Sequence, residues 1–161
     1  MTGEFSFGKH PSTEGVVNAS FSRSADGEAM SVFFSNLTID TMQQRGELSV
    51  KTYSCLLPVE SEIDLTVTLN VLGMIALDPS YRAALVVRHA GETVAIDFGS
   101  QRPERGGKPI EHSLTARIAA GRAYRVMLIL IVERLAVVEE ESGLIQIDAL
   151  DIELNRLESE G

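Results

Sequence analysis

The middle of the chain shows a strict alternation of apolar and polar residues. Every odd position in residues 63–77 is apolar except Gly73, and the even positions from 64 to 70 are all polar. A period of two over about fifteen residues predicts a long strand with one buried face. Gly73 predicts either a β-bulge or the close approach of a neighbouring backbone.

Shorter patterns of the same kind predict further strands on both sides. They cover residues 16–22, 30–39, 48–59, 81–89, 93–98, 114–118, 124–138 and 143–157. Glycine-containing turns separate several of them, as at Ala90-Gly91-Glu92 and Ala120-Gly121-Arg122. About nine strands without helical interludes predict an all-β fold, an antiparallel two-sheet β-sandwich of jelly-roll-like form.

Some stretches depart from simple alternation. Residues 124–138 are apolar on both faces, which predicts a central strand covered on both sides. A helix is the competing interpretation, but these apolar residues do not form one helical stripe. The alternation also changes phase twice, near Ser35 and Asn36, where it predicts a bulge, and between Ala149 and Leu150.

The domain organisation follows from these patterns. Residues 1–15 are predicted to be an extended N-terminal arm, residues 16–157 a single β-sandwich domain, and residues 158–161 a C-terminal tail. Residues 99–111 are rich in glycine, proline and charge, which is typical of a solvated loop.

Composition excludes some classes of function. The net charge is −9, and the 14 lysines and arginines are scattered, so nucleic-acid binding is not expected. The acidity favours solubility, with cation binding as the alternative. No apolar run reaches the ~18 residues of a transmembrane segment. Residues 1–15 do not resemble a signal peptide, so the chain is expected to be secreted if a leader has been removed and cytoplasmic otherwise.

No catalytic residues are predicted, and the chain is not expected to be an enzyme. Cys55 is the only cysteine, so an intrachain disulfide is excluded; a buried, inert thiol is expected, with an intermolecular disulfide as the alternative. The three histidines share no metal-site spacing, and His89, at the end of a strand, is predicted to lie on the surface. Serine-nucleophile and phosphate-binding motifs are missing.

Carboxylates near strand ends are the candidate metal ligands. Calcium prefers oxygen ligands from loops and strand ends, which selects Asp78, Asp148 and Asp151 as candidates for an optional structural calcium ion. The alternatives are outward-facing carboxylates on an exposed strand, or a pair of carboxylates in a glycosidase cleft. No other cofactor is expected.

Aromatic residues bear on ligand binding. The chain has no tryptophan and three tyrosines, which weakens a carbohydrate platform because sugars stack on exposed rings. Phe33 and Phe34 are adjacent, so one is expected in the core and the other exposed or covered by a partner.

The stretches MSVFFSNLTID, YSCLLPV and LNVLGMIALD resemble a family of small uncharacterised secreted β-proteins of fungi and bacteria. The matching positions in residues 28–89 are Phe34, Cys55, Pro58, Gly73 and Asp78. That family tends to carry cysteine pairs, whereas this chain has one cysteine. The closing run IDALDIEL is similar to the last strand of jelly-roll carbohydrate-binding modules, and this resemblance implies Asp148 or Asp151 as a calcium ligand.

Two functions are compatible with the sequence. The first is a non-enzymatic structural or protein-interaction domain, a homo-oligomer or partner-binding subunit that associates through sheet edges or the N-terminal arm. The alternative is a glycan- or lipid-binding β-sandwich module with an optional calcium ion. Exposed aromatic residues on one face of a sheet would favour the alternative.

Overall fold

The computed structural model describes residues 5–14, 18–41, 47–77, 80–99, 107–135 and 143–157. Within these residues the chain forms thirteen strands and no helix, so none of them belongs to a helix that could span a bilayer. The strands are β1 Phe5–Phe7, β2 Ser12–Glu14, β3 Ala19–Arg23, β4 Ala29–Phe34, β5 Thr38–Asp40, β6 Leu48–Leu57, β7 Val59–Ser61, β8 Leu65–Ala76, β9 Tyr81–His89, β10 Glu92–Gly99, β11 Lys108–Ile118, β12 Tyr124–Arg134 and β13 Leu144–Arg156.

Two antiparallel sheets form the sandwich. One has the strand order β10-β9-β12-β6-β2, and the other has the order β11-β8-β13-β4-β3, with β5 also paired to β13. The topology is clearest when the eight strands of six residues or more are numbered one to eight in chain order. The sheet that contains β13 then has the spatial order one-eight-three-six, and the sheet that contains β12 has the order two-seven-four-five. This interleaving of two Greek keys is the jelly-roll arrangement.

The core lies between the two sheets because each long strand turns alternate apolar residues inward. Leu65, Val67, Leu69 and Val71 of β8 are buried, as the alternation predicted. Leu128 and Leu130 of β12 face them from the other sheet and are also fully buried. Each large aliphatic side chain removed from water stabilises the fold by about 1.5–3 kcal/mol.

The described residues form thirteen strands, not the nine expected from the sequence. The excess equals the four strands of only three residues, namely β1, β2, β5 and β7. Three residues are too few to show a period of two, so such strands leave no pattern in the sequence. Two of them lie in the predicted arm: β1 pairs with β7, β2 pairs with β6, and Phe7 is fully buried.

A β-bulge interrupts the pairing of β13 with β8. The register shifts between Ile147 and Ala149, one to two residues before the predicted change of phase. Gly73 lies opposite the bulge, where an added Cβ would be 2.1 Å from the carbonyl oxygen of Gln146. The close backbone approach predicted at Gly73 is therefore confirmed, and it explains why no larger residue fits there.

Candidate functional site

The outer faces of the two sheets differ in chemistry. On the six-stranded sheet, outward positions carry mainly hydroxyl, amide and carboxylate groups, whereas on the five-stranded sheet the central outward positions are aliphatic, with hydroxyl and charged side chains around them. Antiparallel sheets normally expose a polar face to water. We call the first the polar face and the second the apolar face. The polar face holds the candidate ligand site.

Phe33 is the exposed aromatic residue of the polar face. Along β4, Met30, Val32 and Phe34 point inward, so the intervening Phe33 points outward. Phe34 packs edge-on against Tyr53, with ring centroids 4.7 Å apart. Phe33 is 48% exposed, which is unusual for a ring of this size. The prediction that one ring is in the core and its neighbour is exposed is confirmed.

Small and polar side chains surround the Phe33 ring. Cross-strand pairing places Ser20 of β3 on one side of Phe33 and Ala149 of β13 on the other. Neither is long enough to cover the ring. A shallow groove of 320 Å³ lies along this corner, lined by Asn18, Ala19, Ser20, Phe33, Phe34 and Ser35. The backbone N–H of Asn18 donates a hydrogen bond of 2.9 Å to Oδ1 of Asn36, which fixes the backbone at the edge of the groove.

A polar row crosses the sheet next to Phe33. The pairing aligns Ser31, Asp151, Asn70 and Ser113 on four neighbouring strands. Ser31 Oγ donates a hydrogen bond of 2.8 Å to Asp151 Oδ1, which fixes the carboxylate on the surface of the sheet. Hydroxyl, amide and carboxylate groups can exchange hydrogen bonds with the hydroxyls of a sugar. An aromatic ring beside such a row is the usual chemistry of a carbohydrate platform.

A second groove lies farther along the same face. It has a volume of 610 Å³ and is lined by Thr66, Asn155, Arg156 and Leu157. Residues 149 and 155 of β13 are separated by about 20 Å along the strand. The polar face therefore has room for an extended ligand that runs from Phe33 along β13.

The three calcium candidates are not brought together within the described residues. Asp148 is exposed at the bulge and accepts a hydrogen bond from Gln146 Nε2. Asp151 is held by Ser31, and Asp78 lies outside the described residues. The part of the chain that the structure describes contains no group of three or more His, Cys, Asp or Glu residues suited to a metal ion. The calcium site stays a prediction.

His89 is buried, and the prediction that it lies on the surface is wrong. It is 1% exposed, and its Nδ1 lies 2.9 Å from Oη of Tyr124. The signal was present in the sequence, because His89 continues the inward series of Ala83, Leu85 and Val87. Burial lowers the pKa of His89, opposed by the charge of Glu92. A histidine enclosed in this way is shielded from solvent, and it does not line either groove of the polar face.

Cys55 is a free thiol in the core, as expected. Its burial raises the pKa to about 11, so the nucleophilic thiolate is absent at neutral pH. His112 is exposed and contacts the ring of Phe98, with centroids 5.9 Å apart. The described residues therefore do not join a histidine to a reactive thiol in a groove.

The sequence indicates Phe33 as one of two candidates for exposure and Asp151 as a calcium candidate, but it does not indicate the polar row that joins them. Ser31 and Asp151 are 120 residues apart in the chain and meet only through the pairing of β4 with β13. Alternation predicts strands and their faces, but it does not give their order in a sheet. A site assembled from four strands therefore left no local motif.

Comparisons with known proteins support no family assignment. No family model matches the chain, and no curated protein matches it. Among solved structures, the enzymatically active domain of tailspike protein 4 from bacteriophage CBA120 matches 96% of this chain, 10% identical, with a TM-score of 0.41. The chain spans 20% of that protein's length.

Two carbohydrate-binding modules match over most of both chains. TmCBM61, solved in complex with β-1,4-galactotriose, is 16% identical, with 91% of this chain and 88% of that chain covered and a TM-score of 0.36. CBM35 from Cellvibrio japonicus Abf62 is 9% identical, with 89% and 92% covered and a TM-score of 0.37. These likenesses are too distant to support an argument about function, and the resemblance to small secreted β-proteins stays a prediction. The chain is an antiparallel jelly-roll β-sandwich.

Proposed function

We propose that the chain is a non-enzymatic glycan-binding module that holds a neutral oligosaccharide on its polar face. The observation that carries this proposal is the exposed Phe33 ring beside the row of Ser31, Asp151 and Asn70. The ring supplies a stacking surface for the apolar face of a sugar, and the row supplies donors and acceptors for its hydroxyls.

The alternatives have less support from the geometry. A lipid site would need an apolar cavity, whereas the grooves on this face are shallow, and half of their lining residues are serine, threonine or asparagine. Self-association through the N-terminal arm is less favoured, because β1 and β2 pair with strands of the same chain.

The test is binding to a panel of soluble polysaccharides by affinity electrophoresis, followed by calorimetry on oligosaccharides of the best ligand. Phe33→Ala should weaken binding by tenfold or more, since loss of one stacking ring costs about 1.4 kcal/mol or more. Phe33→Trp should retain binding because it keeps a stacking ring. Leu48→Ala, which truncates an exposed apolar residue on the other sheet, is the matched control and should bind like the wild type.

Two results would refute the proposal: no glycan of the panel binds, or Phe33→Ala binds as well as the wild type. Repeating the titration with a calcium chelator also tests the predicted calcium ion. If Asp148 or Asp151 holds calcium, the chelator should lower the melting temperature, and Asp148→Asn should remove that effect.

A further inference from the structure

The apolar face carries a patch of exposed and half-buried aliphatic side chains within the part of the chain that the structure describes. Outward positions of β6, β9, β10 and β12 lie side by side across the sheet. At one end Leu48 and Val50 are 61% and 47% exposed. The apolar side chains of this face are Leu48, Val50, Leu56, Ala84, Val86, Ala95, Met127, Ile129 and Ile131. Thr52 and Ser54 of β6 lie beside Ile129 and Met127, so the aliphatic patch is interrupted by two hydroxyl side chains on β6. An aliphatic patch of this size on a sheet surface marks an interaction site.

We propose that a second copy of this chain covers the apolar face, with its strands antiparallel to those of the first. The strand β12 lies between β9 and β6 in the five-stranded sheet. Its outward residues in order are Arg125, Met127, Ile129, Ile131 and Glu133. The series has a cation at one end, an anion at the other and only apolar residues between them.

This series is complementary to itself when it is reversed. A two-fold axis through Ile129, perpendicular to the strands, places Arg125 of one copy opposite Glu133 of the other, and Met127 opposite Ile131. Ile129 then meets its own counterpart. An isologous interface requires that residue i contacts j while j contacts i, and the outward side of β12 meets this condition.

The neighbouring strand supports the same axis. On β9 the residue level with Ile129 is Val86, and Arg88 and Arg82 lie toward the two ends. Arg82 is neutralised by its ion pair with Asp97, so the end of the face near Glu133 is not cationic. Arg88 and Arg125 make the opposite end cationic, although Glu14 of β2 lies at its margin. In the antiparallel arrangement, the cationic end of one copy faces the Glu133 end of the other, and the two attract each other. In a parallel arrangement the two cationic ends would face each other and repel.

The size of the face is adequate for a weak dimer. Four strands spaced by ~4.8 Å and nine residues rising ~3.3 Å each cover about 600 Å² in projection. Accessible area exceeds projected area because side chains stand up from the sheet, so the face approaches the ~800 Å² per partner of standard interfaces. Sheets also pack face to face with aliphatic side chains interdigitating, as the core of this sandwich already shows.

The experiment measures mass in solution by sedimentation equilibrium from about 1 to 100 µM, because association depends on concentration. Wild type should approach twice the chain mass at the high end. Arg125→Glu and Glu133→Arg should each raise the dissociation constant at least about tenfold, since like charges then face each other twice. The double variant Arg125→Glu/Glu133→Arg should restore the dimer, because the exchanged charges are complementary again.

Arg117→Glu makes the same change of charge on an exposed position of the other sheet and should dimerise like the wild type. Circular dichroism establishes that each variant is folded, and Ile129→Asp gives an independent disruption at the proposed axis. A wild type that stays monomeric throughout the range overturns the proposal. So does a dimer whose stability ignores both single charge reversals, since its interface would then lie elsewhere.

Discussion

At the scale of single residues, the least expected feature is a polar pair inside the core. Nδ1 of His89 and Oη of Tyr124 lie 2.9 Å apart, whereas Nε2 of His89 has no hydrogen-bond partner among the described residues. A buried polar atom without a partner costs about 1–3 kcal/mol. Burial lowers the pKa of His89 and raises the pKa of Tyr124, so both groups are neutral at pH 7.

This pair makes stability depend on pH. Above pH 7 His89 is neutral in both the folded and the unfolded chain, so it does not change the free energy of unfolding with pH there. Below its ordinary pKa of 6.5 the unfolded chain binds a proton that the folded chain resists. The free energy of unfolding should therefore decrease as pH falls from 7 to 5, by at most ~1.4 kcal/mol per pH unit from this residue.

Urea titrations at pH 5, 6 and 7 measure this effect. The double variant His89→Leu/Tyr124→Phe removes both polar groups, so the contribution of His89 to the pH slope should disappear. His112→Leu is the matched control, because it removes an exposed histidine and leaves the buried pair in place. An unchanged slope in the double variant would show that His89 is not responsible.

At the scale of elements, the centre of the six-stranded sheet depends on one residue without a side chain. Gly73 of β8 faces the bulge of β13, and its Cβ position is 2.1 Å from Gln146 O and 3.0 Å from Ile147 Cα. Both contacts are with backbone, so a side-chain rotation cannot relieve them. The bulge itself shifts the faces of β13, so that Ile147 and Leu150 are both buried although their positions differ in parity.

Gly73→Ala should therefore destabilise the fold by about 2–4 kcal/mol, because two central strands must separate to admit a methyl group. Gly91→Ala is the comparison. Its Cβ would meet no atom within 4 Å, but its φ of +79° disfavours a side chain, so a cost of about 1–2 kcal/mol is expected. Equal stabilities of Gly73→Ala and wild type in urea unfolding would contradict the close contact.

At the scale of the whole molecule, the sequence predicts strands better than surfaces. The bounds of β9 were predicted as observed because three buried apolar residues, Ala83, Leu85 and Val87, alternate cleanly with exposed or half-buried ones. The sequence also predicts that both sides of β12 are apolar and covered. Its outer residues Met127, Ile129 and Ile131 are half-buried, and the pattern alone does not show what would cover them, since that depends on another molecule or on the order of strands. Phe33 was one of two candidates for exposure, and only the pairing of β4 shows which one.

The two proposed surfaces lie on opposite sides of the sandwich, and this arrangement makes a final prediction. If two copies pack through their apolar faces, their Phe33 sites point away from each other. Such a dimer can join two polysaccharide chains, but it cannot place both sites on one flat surface, so avidity on that surface is not gained. We expect wild type to increase light scattering from a soluble polysaccharide that it binds, and to bind a glycan-coated chip with an affinity close to that of a monomer.

Arg125→Glu separates the two activities. It should abolish the increase in scattering while leaving affinity for a single oligosaccharide unchanged, because Arg125 lies on the sheet opposite Phe33. Phe33→Ala should abolish both scattering and binding. If Arg125→Glu scatters like the wild type although it is monomeric by sedimentation, cross-linking does not require the dimer, and a second glycan site on the same copy would account for it. If Arg125→Glu loses affinity for the oligosaccharide, the two faces are not independent, because a charge on one sheet would then affect a ligand bound to the other sheet.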